Sequence, residues 1–177
     1  MGKIGPGKII FSQDEIQTRI REVAAEINRD YEGHKLIIIS VLKGSIYFVA
    51  DLTRHLTIPL KIDFLSTRVP AEATKKNGGG IQFVKDLDYD LQGQQVLLVE
   101  DVIGTGLTLG LVRQHLEAAQ PASLKICTLL DNPAGRLLPI QIDYCCFTMP
   151  DLYLVGYGLD HEEEFRNLPY IAEYRRG

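Results

Sequence analysis

The chain has 177 residues, 45% hydrophobic side chains and a formal net charge of −4, which suit one domain with a substantial core. The negative charge argues against bulk attraction to nucleic acid or to anionic membranes, and no apolar run approaches the roughly 20 residues that cross a bilayer. The first residues lack the apolar core of a signal peptide, and the three cysteines do not suggest a disulfide framework. We therefore expect a cytoplasmic protein that binds neither nucleic acid nor membrane.

Apolar runs typical of buried parallel strands alternate with segments in which apolar residues recur at helical spacing. This alternation favours an α/β domain with a mainly parallel, twisted sheet flanked by helices. Residues 1–8 are expected to form a flexible lead, and residues 1–177 are taken as a single domain because the sequence shows no repeat or boundary. The predicted elements are, in chain order, a helix over 13–29, a strand over 36–41, a helix ending at about 55, strands over 60–65, 81–84 and 96–99, a helix over 107–119, strands over 124–130 and 140–147, and a short strand or turn over 152–158.

A long polar tract, residues 66–80, separates the strands predicted at 60–65 and 81–84. It shows neither helical nor strand periodicity, and a connection of this length in a small domain is typical of a mobile lid or of a disordered excursion. We interpret residues 60–84 as a hairpin with a long tip, and the sequence leaves both roles of the tip open.

The strand predicted at 96–99 leads into Glu100 and Asp101, and a loop of glycine and threonine follows. Ligands bind at the carboxyl ends of strands in open α/β sheets. Because consecutive strand residues point to opposite faces, the two carboxylates are not expected to form one clamp. Gly104 and Gly106 allow backbone N–H groups to approach an anion, and the next helix directs its N-terminus there. The pattern predicts a ligand with hydroxyl groups and phosphate, with Mg²⁺ between them.

Two other patterns at strand ends are less specific. Residues 104–109 begin like a dinucleotide-binding fingerprint but lack its third glycine, and the two preceding acids would repel a pyrophosphate unless a metal lay between them. Lys43, Gly44 and Ser45 lie between a strand and a helix and form a second possible anion site. An ordinary turn with a solvated lysine explains these residues equally well.

Several motifs, taken together, resemble one protein family. Residues 99–108 resemble the phosphoribosyl-pyrophosphate loop of type I phosphoribosyltransferases. Residues 41–45 resemble the pyrophosphate loop of the hypoxanthine–guanine phosphoribosyltransferases, which often contains a non-proline cis peptide. Residues 150–160 and 165–168 are similar to the base-binding and carboxy-terminal segments of that subfamily. The resemblance covers almost the whole chain and implies the type I phosphoribosyltransferase fold, with a flexible hairpin lid and a small hood formed by the N-terminal lead and the segment after about 150.

The resemblance implies a purine-salvage reaction with Mg²⁺ as cofactor. Hypoxanthine or guanine, each a 6-oxopurine, would displace pyrophosphate from 5-phosphoribosyl 1-pyrophosphate to give a purine nucleotide, IMP or GMP. The family also tends to form homodimers and homotetramers. The implied roles are ribose and metal-water contacts for Glu100 and Asp101, the 5′-phosphate loop for Gly104, Thr105, Gly106, Leu107 and Thr108, pyrophosphate contacts for Lys43, Gly44 and Arg166, base contacts for Asn132, Tyr153, Leu154 and Asp160, and metal ligation for Asp160, Glu100 and Asp101.

Three places depart from the family pattern. Gly104 stands where an aspartate usually serves as general base or as partner of purine N7, so no catalytic residue is matched. Asn132 stands where a lysine usually donates to the 6-oxo group, and Val69 and Pro70 replace a Ser-Tyr pair of the lid. Three hypotheses follow: an active purine transferase with weakened base chemistry, a transferase for another base, and a non-catalytic regulatory paralogue that binds nucleotide or phosphoribosyl pyrophosphate.

Overall fold

The computed structural model describes residues 5–68, 81–150 and 152–175, which form nine strands, three α-helices and one short 3-10 helix. The strands are β1 (Gly5–Phe11), β2 (Leu36–Leu42), β3 (Leu60–Arg68), β4 (Gln82–Lys85), β5 (Gln95–Ile103), β6 (Ser123–Asp131), β7 (Tyr144–Thr148), β8 (Leu154–Val155) and β9 (Ile171–Arg175). The α-helices are α1 (Gln13–Asp30), α2 (Ile46–Arg54) and α3 (Leu107–Ala118), and the 3-10 helix is Pro133–Gly135.

Six strands form the main sheet in the order β4-β3-β2-β5-β6-β7. All neighbouring pairs are parallel except β3 and β4, which are antiparallel. The predicted α/β class with a mainly parallel sheet is therefore confirmed. Strand β5 lies near the middle, so the loop that follows it is flanked by the loops that follow β2 and β6.

Helices cover both faces of β5 because its apolar residues alternate between two cores. Leu97 and Val99 pack with residues of α1 and α2, whereas Val96 and Leu98 pack with residues of α3. All four side chains are fully buried, and full burial of such a side chain contributes about 1.5–3 kcal/mol. This packing holds the carboxyl end of β5 in a fixed position between the two layers of helices.

The first helix begins where the sequence predicts. The backbone N–H of Ser12 donates to Oε2 of Glu15 over 2.8 Å, and the N–H of Glu15 donates to Oγ of Ser12 over 3.3 Å. This reciprocal capping box satisfies two N–H groups that the helix itself leaves unpaired. The predicted helix over 13–29 is confirmed as Gln13–Asp30.

The two ends of the described chain pair in a second, three-stranded sheet of order β1-β9-β8. Strand β1 is antiparallel to β9, with Ile9 opposite Ala172. The prediction of a flexible lead is therefore wrong for residues 5–8, and β9 was not predicted. Both strands are short and owe their order to a partner at the far end of the chain, which local periodicity does not reveal.

Two further predictions need correction. Strand β3 continues to Arg68, so residues 66–68 belong to the ladder with β4 and not to the polar tract. Strand β7 begins at Tyr144 and not at 140, because Ile140 and Ile142 pack beneath α3 without a strand partner. Residues 69–80, with Val69 and Pro70, lie outside the described residues. None of the described helices has the length and apolarity needed to cross a membrane.

Candidate active site

The residues predicted to bind ligand lie at the carboxyl ends of β2, β5 and β6, in and just before β8, and in the segment between β8 and β9. Glu100 and Asp101 are the last acids of β5 and face different surroundings, as the alternation of strand residues predicts. Glu100 is buried and lines a cavity of about 280 Å³ together with Val41, Thr105 and Thr108. Asp101 faces the opposite side, where a Cβ added to Gly44 would lie 1.6 Å from its Oδ2 atom.

Burial governs the protonation of both acids. It raises the pKa of Glu100 well above its usual range, and the neighbouring charge of Asp101 acts in the same direction. Burial also raises the pKa of Asp101, while a hydrogen bond from the N–H of Val102 and the charge of Arg166 lower it. Each carboxylate therefore becomes more stable when a hydroxyl donor or a cation approaches it.

The loop after β5 has the geometry of an anion site. Gly106 caps α3 with φ 82°, in the left-handed region that favours glycine, and a Cβ there would lie 2.9 Å from the carbonyl oxygen of Leu138. Leu107 begins α3 and is largely exposed. By contrast, a Cβ added to Gly104 would have no atom within 4 Å. Gly106 is thus required by the backbone, whereas Gly104 is not.

The loop after β2 approaches the same place from the other side. The peptide bond between Leu42 and Lys43 is cis, as the resemblance implies. Gly44 lies between two close neighbours, since a Cβ added to Gly158 would lie 1.8 Å from the carbonyl oxygen of Gly44 and Asp101 contacts its other side. The side chain of Lys43 is largely exposed, and its Nζ lies 2.7 Å from Oε2 of Glu163.

Arg166 lies in the segment between β8 and β9 and contacts three residues of that segment. Its Nη1 donates to the carbonyl oxygen of Gly158 over 2.8 Å, and its Nη2 lies 2.9 Å from Oδ1 of Asp160 and 3.2 Å from Oε1 of Glu163. Its Nε is buried and has no hydrogen-bond partner among the described residues. The structure therefore brings Lys43, Arg166, Asp160 and Asp101 to one side of the central loop.

The three carboxylates predicted as metal ligands do not converge. Glu100 lies on the α3 side of the sheet, away from Asp101 and Asp160. Within the described part of the chain, no three His, Cys, Asp or Glu side chains lie close enough to hold a metal ion by themselves. The pair of Asp101 and Asp160 suits Mg²⁺ that is shared with the phosphates of a substrate, because Mg²⁺ commonly binds one or two carboxylates, waters and phosphate oxygens.

Asn132 follows β6 and is held by its own turn. Its Oδ1 accepts a hydrogen bond from the N–H of Gly135 over 3.2 Å, and its N–H donates to the carbonyl oxygen of Ile103 over 3.0 Å. The amide Nδ2 has no hydrogen-bond partner among the described residues. Since the acceptor is in use, Asn132 presents a hydrogen-bond donor beside the central loop.

Two aromatic residues lie at the candidate base site. Tyr153 is 44% exposed and contacts His161 edge to face, with ring centroids 5.7 Å apart. Its hydroxyl donates to the carbonyl oxygen of Asp160 over 3.3 Å. Leu154 is buried in β8, opposite Glu173 of β9. An exposed ring fixed by such contacts can offer a face to a planar base.

Sequence reasoning missed Asp131 and Arg136 as a pair. The guanidinium of Arg136 contacts Oδ1 of Asp131 and donates to the carbonyl oxygens of Ile103 and Gly104. Asp131 and Arg136 flank the turn at Pro133, which is the local signal that could have suggested their pairing. The contacts with Ile103 and Gly104 are distant in sequence and leave no local pattern.

The fold and these loops define the class of protein. The family model for the phosphoribosyl transferase domain matches residues 8–162. A hypoxanthine-guanine phosphoribosyltransferase of Streptococcus pneumoniae (strain ATCC BAA-255 / R6) is 42% identical over 165 residues, which cover 93% of this chain and 91% of the relative.

Solved structures agree with the sequence match. A hypoxanthine-guanine phosphoribosyltransferase from Bacillus anthracis superposes with a TM-score of 0.88 at 39% identity, over 97% of this chain and 99% of that one. A hypoxanthine phosphoribosyltransferase from Staphylococcus aureus gives a TM-score of 0.91 at 35% identity, over 96% and 92% of the two chains. The chain belongs to the hypoxanthine-guanine phosphoribosyltransferase family, within the phosphoribosyl transferase domain family.

Proposed function

We propose that this protein is a purine-salvage phosphoribosyltransferase that forms IMP or GMP from hypoxanthine or guanine and 5-phosphoribosyl 1-pyrophosphate. The observation that carries the proposal is the convergence of Asp101, the cis-linked Lys43 and Arg166 beside the glycine-threonine loop. These groups supply, in one place, acceptors for ribose hydroxyls and cations for a pyrophosphate. The site is set in a chain that shares family and fold with enzymes named for this reaction.

The loop after β5 would bind the 5′-phosphate through N–H groups of residues 104–108 and the hydroxyls of Thr105 and Thr108. Glu100 and Asp101 would accept hydrogen bonds from the ribose hydroxyls on the two sides of the strand end. Lys43, Gly44 and Arg166 would bind the pyrophosphate and stabilise the charge that it gains as the bond to ribose C1 breaks. Asp101 and Asp160 would hold Mg²⁺, which would supply further positive charge to this leaving group.

The base would enter between Tyr153 and Asn132. Tyr153 offers an aromatic face for stacking, and the backbone of Leu154 offers polar groups to the base edge. The free Nδ2 donor of Asn132 suits a keto oxygen, which favours 6-oxopurines over adenine. Gly104 provides no proton acceptor at purine N7, and loss of general acid–base help typically lowers a rate by about 10²–10⁴-fold. We therefore propose an active enzyme whose chemical step is slow.

A regulatory paralogue is the second candidate function. The open space at Gly104 and the neutral amide of Asn132 favour it, because both changes fall on the base side of the site while the acids and glycines of the phosphate loop are present. Such a protein would bind nucleotide or phosphoribosyl pyrophosphate without turnover. A transferase for a different base is a third possibility consistent with the same two residues.

One assay separates these functions. The purified protein is incubated with Mg²⁺, phosphoribosyl pyrophosphate and one base at a time, chosen from hypoxanthine, guanine, xanthine, adenine and uracil, and nucleotide is quantified by chromatography. IMP or GMP supports the proposal, and a nucleotide of another base alone supports the third possibility. Calorimetric binding of IMP without any product supports the regulatory role. A matched Asp101→Asn protein serves as the control for contaminating activity.

We also propose a cytoplasmic homodimer or homotetramer, on the basis of family membership. Sedimentation of the purified protein tests the oligomeric state directly. A monomer at micromolar concentration would contradict this part of the proposal without affecting the proposed reaction.

A further inference from the structure

Three consecutive carbonyl oxygens of the phosphate loop accept hydrogen bonds from residues 132–138. The carbonyl of Ile103 accepts from the N–H of Asn132 over 3.0 Å and from Nη2 of Arg136 over 3.1 Å. The carbonyl of Gly104 accepts from Nε of Arg136 over 2.9 Å. The carbonyl of Thr105 accepts from the N–H groups of Leu137 and Leu138, each over 3.0 Å. Residues 132–138 therefore hydrogen-bond to each carbonyl of residues 103–105.

The direction of a carbonyl fixes the direction of the next N–H group, because both belong to one planar peptide and point to opposite sides. Carbonyls drawn toward residues 132–138 leave the N–H groups of Gly104, Thr105 and Gly106 directed away from that segment. No acceptor among the described residues pairs with these three N–H groups. Unpaired N–H groups in a row form a concavity that binds an anion.

The glycine content of this stretch makes its order depend on support from other residues. Of the three residues with unpaired N–H groups, Gly104 and Gly106 lack a Cβ, and glycine loses more conformational freedom on ordering than any other residue. The peptide between Gly104 and Thr105 is held on its carbonyl side by Arg136. The Thr105 carbonyl has two backbone donors, whereas the Gly104 carbonyl depends on a single side chain.

The guanidinium of Arg136 is directed at backbone carbonyls and at Asp131, and its charge is compensated within the protein. Its side chain is 15% exposed and paired with Asp131, which neutralises it. Its Cδ lies 3.3 Å from the place where a Cβ of Gly106 would stand, so the side chain packs against Gly106. A planar fork of donors can reach a carboxylate and two carbonyls at once, which a lysine ammonium cannot do with the same geometry.

We propose that Arg136 is a positioning residue for phosphate recognition. Tied to Asp131, it fixes the peptides that follow Ile103 and Gly104, so that the N–H groups of Gly104 and Thr105 face the 5′-phosphate. The inference rests on the proposed function for the identity of the ligand, and it concerns binding of the phosphate rather than the chemistry at the base.

The test is calorimetric binding of ribose 5-phosphate to the wild-type chain and to Arg136→Met, which keeps most of the side-chain volume and removes every donor. Loss of charge-assisted hydrogen bonds predicts about 10–100-fold weaker binding. Arg136→Lys is expected to recover only part of the affinity. Arg113→Met is the matched control, because it removes an exposed arginine from its 2.7 Å pair with Glu117 on α3 and should leave binding unchanged.

A second readout separates positioning from general stability. If Arg136→Met stays folded by circular dichroism and its KM for phosphoribosyl pyrophosphate rises while its KM for the base does not, the proposal holds. Unchanged affinity for ribose 5-phosphate in the folded variant overturns it, as does an equal loss of phosphate and base affinity that follows a lowered melting temperature. Wild-type protein that binds ribose 5-phosphate but forms no nucleotide would overturn the proposed reaction alone.

Discussion

The Nζ atom of Lys43 lies 2.7 Å from the carboxylate of Glu163, so a cation assigned to pyrophosphate is paired with an acid of the same chain. Arg166, the second such cation, also contacts Glu163, at 3.2 Å. Glu163 has φ 69°, a backbone conformation that few residues other than glycine adopt. Bound pyrophosphate would compete with this carboxylate for both cations.

Replacement of Glu163 by glutamine should therefore strengthen pyrophosphate binding. The pair is exposed, and exposed ion pairs are weak, so a gain of about two- to fivefold is expected. The gain should shrink as ionic strength rises, because salt screens the interaction in the wild-type protein. Calorimetry with Mg²⁺ and pyrophosphate measures it. The control is Glu162→Gln, an exposed neighbour, and equal affinity in all three proteins would contradict the prediction.

Replacement of Asn132 by aspartate should invert the polarity of the base site. The carboxylate keeps an acceptor for the N–H of Gly135, so the turn is preserved, but the Nδ2 donor is lost. A keto oxygen then meets an acceptor, and kcat/KM for hypoxanthine should fall about 10–100-fold. The ratio of adenine to hypoxanthine use should rise. A variant that folds and retains wild-type use of hypoxanthine would show that Asn132 does not read the base.

Joint restoration of the two base-side positions should raise activity. No atom lies within 4 Å of a Cβ added to Gly104, so the backbone site leaves room for a side chain to begin there. The variant Gly104→Asp with Asn132→Lys should increase kcat for hypoxanthine about 10²–10⁴-fold, the usual contribution of general acid–base catalysis. Steady-state kinetics with saturating phosphoribosyl pyrophosphate measures this. If the double variant binds phosphoribosyl pyrophosphate and shows no gain, these two departures do not limit the rate.

The pH dependence of stability should report the buried acid of β5. Because burial raises the pKa of Glu100 in the folded state above its ordinary value of 4.5, the folded chain holds a proton that the unfolded chain releases. This contribution to stability is fully present below pH 4.5 and is lost as pH rises through the raised pKa. Glu100→Gln should therefore be more stable than wild type at neutral pH in the absence of ligand.

Urea unfolding of both proteins across the acidic to neutral pH range measures this difference in stability. The control is Glu32→Gln, the same chemical change at an exposed position. Parallel curves for the wild type and Glu100→Gln would contradict a raised pKa. Added Mg²⁺ and phosphoribosyl pyrophosphate should stabilise the wild type more than Glu100→Gln, since the glutamine cannot accept from ribose hydroxyls as a carboxylate does.

The sequence predicted those parts of the fold that local patterns specify. The capping box at Ser12 placed the start of α1, and the apolar run before Glu100 placed the central strand with its two acids on opposite faces. Strands β1 and β9 escaped prediction because each is ordered by the other across the length of the chain. Arg136 escaped for the same reason, since its carbonyl partners lie 32 and 33 residues away.

The sequence located the loops of the candidate site but not the partners of their side chains. Strand ends and glycine loops are local, so the phosphate and pyrophosphate loops could be located. The partners of each side chain are tertiary, so the pairing of Lys43 with Glu163 and the donor orientation of Asn132 emerged only from the structure. The relative placement of the three acids predicted as metal ligands also emerged only from the fold, which puts Glu100 on the other side of β5 from Asp101 and Asp160.

The time course of IMP formation by the wild-type protein with Mg²⁺, phosphoribosyl pyrophosphate and hypoxanthine tests the proposed reaction. We expect IMP to accumulate steadily with an equal amount of pyrophosphate, and neither product to accumulate with Asp101→Asn. Protein that binds phosphoribosyl pyrophosphate but forms no IMP during prolonged incubation, and no GMP when guanine replaces hypoxanthine, would contradict the proposed reaction.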